Sequence, residues 1–449
     1  MNRYSCLLLC LAAGTAGATE WTHFEQIDAP CCGSASTTGL HFGAAVAADL
    51  SAASPPQIRA LYVGAPGFAI TSNGTVYPEA GLVFVFAPVN GVWQEVTYLQ
   101  AITPQANAHF GASVAVNDGV VVVGEPDYDA PAHTNGGRMT LFFDRNHNAS
   151  SSPPAFDGLF DIEGVADNER LGASVAIAGD GMGTGGAGNW VVGGGPGSGG
   201  GCAVLRYLGD DGTFIDKGSV CGATSGDALG ASVAVYSLGA TNLLMLAGAP
   251  GEGSSAGGAH VYYLVGGNPT KLSDLQAQSP GLFDFFGTSV AIDSQRIYVG
   301  ATGRDKAGVG RTGSVTLFNP GGPNHYTFDT ELFPGSGANP GDLCGASVYP
   351  NPIGTDFVVG CPGSNAQFDG EGFARVFEPF ALFGGTVWVD HVLQMGSLPH
   401  GADDLGRGVA IVGDRAFAGA PLSDSLLGND NGAVQVFAVD SIFADGFGG

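Results

Sequence analysis

The sequence predicts an all-β fold, a seven-bladed β-propeller of four-stranded antiparallel blades whose ring is closed by the N-terminal strand. Three observations carry this expectation. A short glycine-centred segment recurs seven times, each copy is followed by a Gly-Ala-Pro-like turn and most by a clearly alternating apolar strand, and the last copy runs out of chain one strand early. Recurrence at a near-constant period means one supersecondary unit stacked on copies of itself, since no single copy can bury its own apolar faces.

The first half of each unit reads His41-Phe42-Gly43, Phe110-Gly111-Ala112-Ser113, Leu171-Gly172-Ala173-Ser174, Leu229-Gly230-Ala231-Ser232, Phe286-Gly287-Thr288-Ser289, Cys344-Gly345-Ala346-Ser347 and Leu405-Gly406-Arg407-Gly408. Successive marker glycines lie 68, 61, 58, 57, 58 and 61 residues apart. The second half reads Val63-Gly64-Ala65-Pro66, Val123-Gly124-Glu125-Pro126, Gly193-Gly194-Gly195-Pro196, Gly248-Ala249-Pro250, Gly300-Ala301-Thr302, Gly360-Cys361-Pro362 and Gly419-Ala420-Pro421.

Each unit reads as four strands. Strand one follows the marker glycine and is lined with small residues; strand two runs into the Gly-Ala-Pro turn, as at 120–123 and 296–299. Strand three alternates with period two, as at 82–86, 314–318 and 434–437, and is rich in β-branched and aromatic residues. Strand four is more polar, as at 92–99 and 387–393. Small residues inside and larger ones outside suit a wedge whose thin edge points at an axis, with proline ending the ladder after each Gly-Ala. Four-stranded sheets set radially are propeller blades, and seven copies give seven blades.

The last unit ends its third strand at 437 and leaves too little chain for a fourth. The segment Trp21-Thr22-His23-Phe24-Glu25-Gln26-Ile27 resembles the outer strands around Trp93 and Trp388, and is expected to complete blade seven. Closure also removes sheet edges that invite aggregation.

Composition agrees with a folded, exported chain. Of 449 residues, 44% are apolar and only 12% charged, with 76 glycines and 25 prolines placed at recurrent turns. A formal charge of −26 repels nucleic acid and anionic membranes. Arg3, the apolar run 7–13 and Ala16-Gly17-Ala18 form the three parts of a secretory signal with cleavage after Ala18, and the run is too short to span a bilayer. Residues 1–18 are thus read as signal, 19–440 as propeller and 441–449 as a short tail. Six cysteines remain after cleavage. Cys344 and Cys361 replace the usual apolar residues of both motifs in a single unit, and Cys202 and Cys221 bracket a hairpin, so each pair is a disulfide candidate; Cys31 and Cys32 either bridge each other or stay free.

The pairing of Phe-Gly with Gly-Ala-Pro resembles the FG-GAP repeat of integrin α-subunit heads and of many secreted bacterial proteins, across nearly all of the mature chain. That resemblance implies extracellular binding or adhesion. Several integrin repeats carry a calcium loop with alternating acids between strands one and two. The corresponding loops here (47–49, 117–119, 179–181, 293–294, 355–356 and 413–414) each offer one acid, and Asn-Asp-Gly is a hairpin signal in its own right, so the chain is more similar to the bacterial secreted branch. The terminus Ile442-Phe443-Ala444-Asp445-Gly446-Phe447 resembles one seen on some exported bacterial proteins.

Acids are denser between strands two and three: Asp127 and Asp129, Asp369 and Glu371, Asp424 and Asp430. On one face of the disc they would form a rim able to hold calcium or a basic partner; ordinary polar loops account for them too. Gly253-Ser254-Ser255-Ala256-Gly257 matches the hydrolase Gly-x-Ser-x-Gly pattern without the following helix it needs, and 181–186 matches Gly-x-Gly-x-x-Gly with the same defect. His41 and His109 precede a marker glycine alike, which suggests a shared structural position. Asn73 and Asn148 begin glycosylation sequons. The expected function is a secreted, non-catalytic module, monomeric and without cofactor, that binds an extracellular protein or glycan. Two rivals stand beside it: a polysaccharide hydrolase or lyase at the channel, and a calcium-stabilised cell-surface protein.

Overall fold

In the computed structural model the chain is described over residues 20–30, 39–51, 56–147, 153–180, 188–209, 211–239, 242–265, 267–322, 325–335, 339–363, 371–382, 385–394, 403–424 and 429–439. It forms seven four-stranded antiparallel sheets set in a ring, a seven-bladed β-propeller. The innermost strands, in ring order, are Val46–Leu50, Ser113–Asn117, Ser174–Gly179, Ser232–Gly239, Phe286–Ile292, Ser347–Pro350 and Val409–Val412, each beside the next and the last beside the first. A two-stranded ribbon, Ile70–Ser72 with Thr75–Tyr77, turns at Asn73. The only helical assignment among the described residues is the turn Glu252–Ser255.

Burial peaks at the second strand of a blade, since inner strands such as Ser113–Asn117 and Ser174–Gly179 are half-buried beside the channel. Second strands such as Val120–Glu125 and Phe357–Cys361 are buried throughout, whereas the outer strand Val92–Leu99 is largely exposed. Between blades the facing apolar residues form the cores: Trp93 of blade one meets Phe417 of blade seven edge-on, and Tyr62 of blade one meets Phe156 of blade two likewise. Those edge-to-face contacts suit the ring quadrupoles.

Blade seven is completed from the other end of the chain. Trp21–Asp28 pairs antiparallel with Ala433–Val439, from Trp21 opposite Val439 to Asp28 opposite Ala433, with a bulge between His23 and Glu25. Trp21 is buried, and its Nε1 donates to Glu378 Oε1 of blade six at 3.0 Å. Two disulfides form at the expected pairs, Cys202–Cys221 across strands three and four of blade three, and Cys344–Cys361 at the head of strands one and two of blade six. Cys31, Cys32 and the segments expected to be leader (1–18) and tail (441–449) lie outside the described residues.

Every seam between blades is built the same way. A Cβ added to the glycine of the Gly-Ala-Pro motif would overlap the carbonyl oxygen of the marker glycine in the next blade, from Gly64 against Gly111 round to Gly419 against Gly43. At five of the seven seams a serine hydroxyl follows: Ser113, Ser174, Ser232, Ser289 and Ser347 each donate to the next marker-glycine carbonyl at 2.7–2.9 Å. Two residues before each marker glycine the chain turns left-handed at a non-glycine residue, with φ of 53–60° at His41, His109, Arg170, Ala228, Phe285, Leu343 and Asp404. The shared position of His41 and His109 is therefore this turn, held in all seven units although each costs roughly 1–2 kcal/mol of local strain.

Candidate ligand site at the channel and the cleft between blades four and five

The loops between strands two and three lie on one face of the disc with the chain entries to each blade, so the predicted acidic rim can be placed. Asp127 sits between His109 Nδ1 at 2.8 Å and Arg170 Nη2 at 2.9 Å. Burial alone would raise its pKa, but those two partners hold the Asp127 carboxyl below its usual value. Asp129 Oδ1 accepts the Asn135 amide at 2.8 Å, and Asp424 Oδ1 accepts the Asp430 amide at 3.0 Å. Asp305 repeats the device on the Arg311 amide. These acids thus staple their own loops across six residues. Glu371 is buried, and Asp369 lies outside the described residues. Among the described residues no three His, Cys, Asp or Glu side chains are grouped to hold a metal ion.

The acids between strands one and two are likewise engaged by protein donors. Asp118 and Gly119 form a left-handed two-residue turn, Asp180 accepts the Gly188 amide and the Tyr207 hydroxyl, and Asp356 accepts from Asn351.

Sequence reading missed a third set. Three residues before the marker glycine stand Glu169, Asp227, Asp284, Asp342 and Asp403, all buried. Four of them visibly cap the preceding turn, as Asp227 does on the Thr224 amide at 2.8 Å and Asp342 on the Asn339 amide at 2.7 Å. Burial pushes the Asp342 carboxyl up to about 6. The signal was present as a recurrent acid at a fixed offset, but only the structure shows it turned inward. Glu125, the odd residue of its Gly-Glu-Pro motif, has the same kind of explanation. It is fully buried against Arg138, whose guanidinium lies 3.8 Å from the Tyr128 ring centroid, and burial pushes Glu125 up to about 7 against the arginine's pull.

The hydrolase-like motif folds into a left-handed turn, with φ of 59°, 61° and 65° at Gly253, Ser254 and Ser255. Ser254 is exposed. Nearby, a cavity of about 360 Å³ holds His260, but both ring nitrogens go to carboxylates: Nδ1 to Asp274 at 2.6 Å and Nε2 to Glu252 at 2.9 Å. The triad's serine–histidine contact is not formed there. The 181–186 glycine run falls outside the described residues, apart from its neighbour Asp180.

Two connected hollows remain on the opposite face. The central channel encloses about 620 Å³, walled by Val, Ala and Ile of the inner strands, with Tyr236, Asp293, Ser294, Gln295, Tyr349 and Asn351 at one end. From that end a cleft of about 320 Å³ runs outward between blades four and five, past Tyr236, Tyr263 and Tyr326 to Arg296. Among the described residues Asp293 is the only carboxylate lining either hollow, and its oxygens are taken by the Gln295 and Arg296 amides (2.6 and 2.7 Å) and the Tyr298 hydroxyl (2.8 Å). Such a site offers aromatic faces and amides rather than a free acid and base. Comparison of the chain with models of known protein families and with curated proteins found no match.

Proposed function

We propose that the chain is a secreted binding module of the FG-GAP type, which engages an extracellular protein or glycan at the channel mouth and its adjoining cleft without transforming it. The observation that carries the reading is the chemistry of those hollows: tyrosine rings and polar donors surround a single carboxylate already occupied by protein donors. Glycosidase-type chemistry needs two carboxyl groups flanking a bond. Two disulfides suit an oxidising, extracellular setting. No helix among the described residues is long and apolar enough to cross a membrane.

The test is to challenge the mature protein with glycan and matrix-protein arrays. Specific retention on one class supports the module; cleavage of a retained polysaccharide overturns it. A chelator that lowers the melting midpoint would instead favour the calcium-stabilised reading, because an ion bound only to the native state stabilises it by mass action.

A further inference from the structure

Among the described residues every blade ends in an outer strand with nothing paired to its far side, where alternate N–H and C=O groups point away from strand three. Such an edge is a template for another strand unless something spoils it. In blades one to five and in blade seven something does. There the outer strand holds one residue more than the stretch it pairs with, as at Val96 in blade one, Leu272 in blade four, Asp329 in blade five and Phe24 in blade seven. An extra residue bends the strand and sharpens its twist, which turns the edge away from a straight partner.

Blade six lacks that device. Its outer strand, Gly385–Leu393, pairs with Phe373–Leu382 in nine successive steps, from Leu382 opposite Gly385 to Ala374 opposite Leu393, with no shift of register. Val387, Val389 and Val392 are exposed along it, and Phe380 is exposed opposite Val387. Among the described residues no backbone–backbone hydrogen bond reaches 385–393 from outside the blade. The one acid in the strand, Asp390, turns to the Arg375 guanidinium and accepts the Gly335 amide at 3.1 Å. The strand holds neither lysine nor proline, the residues that commonly blunt an edge.

We propose that this edge pairs with the same edge of a second copy, antiparallel about a two-fold axis at Val389, so that two four-stranded blades become one eight-stranded sheet. The occupant follows from what the edge offers. Backbone donors and acceptors at strand spacing recognise another strand rather than a sugar or an ion. A two-fold contact must match itself, and this one does. Val389 lies opposite Val389 of the second copy, Val387 opposite its His391 and Trp388 opposite its Asp390, so no two acids are set face to face. The rim of a ring is convex, so neighbouring blades recede from the contact and the buried area stays in the range of transient complexes. Two chains of net charge −26 repel each other away from the strands, which makes the dimer tighter as salt screens them. A weak dimer replaces the monomer expected from the sequence.

Sedimentation velocity on the mature protein tests the pairing. The mass is expected to pass from one copy to two between about 1 and about 200 µM, and at lower concentration in about 0.5 M than in about 0.05 M salt. Val389→Lys sets two ammonium groups against each other at the axis and should weaken association about tenfold or more. Val92→Lys, on the bulged outer strand of blade one, should leave it unchanged. Both valines are exposed, so the melting midpoint should hold; if Val389→Lys fails to fold, Val387→Lys reads the same loss. Amide hydrogen exchange should slow within 385–393 as concentration rises, and not within 92–99. One copy at every concentration overturns the proposal, as does a dimer that a folded Val389→Lys leaves intact. A single copy retained on a matrix-protein array, and released by Val389→Lys, hands the edge to a foreign strand and overturns self-pairing. Neither Val387 nor Val389 lines the channel or its cleft, so the binding module stands or falls separately.

Discussion

Gly419 of the last blade lies directly against the carbonyl of Gly43 in the first, and the same glycine-on-glycine contact recurs at the other six seams. Neither glycine has room for a side chain, so the repeat motif is the ring's spacing rule written in residues that lack a Cβ.

Gly300→Ala would drive a methyl into the Gly345 carbonyl, a backbone atom that cannot move without its blade. A loss of about 3 kcal/mol is expected in urea unfolding, the upper end for overpacking. Gly310→Ala, whose nearest neighbour would be Asp305 Oδ1 at 3.8 Å, should stay within about 0.5 kcal/mol of the parent. Ser289→Ala, which removes the 2.7 Å donor to Gly345, should fall between them at about 1–2 kcal/mol.

Deleting residues 20–28 should leave Ala433–Val439 as an open sheet edge and uncover the blade-six pocket that holds Trp21. Size-exclusion chromatography should show higher-order species, reverted by adding the 20–28 peptide. A monodisperse truncated protein with an unchanged midpoint would contradict closure by this strand.

The seam between blades one and two should respond to pH. His147, nearly buried, places Nδ1 3.1 Å from Asp49 Oδ2 and Nε2 3.0 Å from Asp118 Oδ1, with Arg59 also facing it. The bond to Asp49, against the effect of burial, raises its pKa above the usual 6.5. Because the folded value lies above the unfolded one, the stabilisation is complete below about pH 6.5 and is lost as pH rises through the folded value. The midpoint gap between parent and His147→Gln should therefore be wider at about pH 5.5 than at about pH 8.5.

Cys344→Ser opens a bridge spanning 17 residues, and about 3 kcal/mol should be lost on the chain-entropy account. Adding a reductant to the parent protein should lower its midpoint in the same direction.

Blade number, strand order within a blade, the closing strand and both disulfides were legible in the chain because each depends on local pattern or on a recurrent offset. Cys344 and Cys361 stood out because both break the motif in one unit. The loop acids Asp129 and Asp424 were legible as acids but not as staples, since whether a carboxylate meets an ion or an amide depends on loop geometry. The buried acids before the marker glycines, and the pairing of Glu125 with Arg138, were hidden because their direction is set by the neighbouring turn and strand.

By itself, then, the order of residues determined a sevenfold wedge and how its ends meet, because backbone spacing and turn chemistry act within one unit. Only the tertiary structure decided where a ligand could enter. The cleft between blades four and five is lined by Leu244, which stands where the preceding blade has Trp190, and what such a position borders is fixed only when two blades face each other.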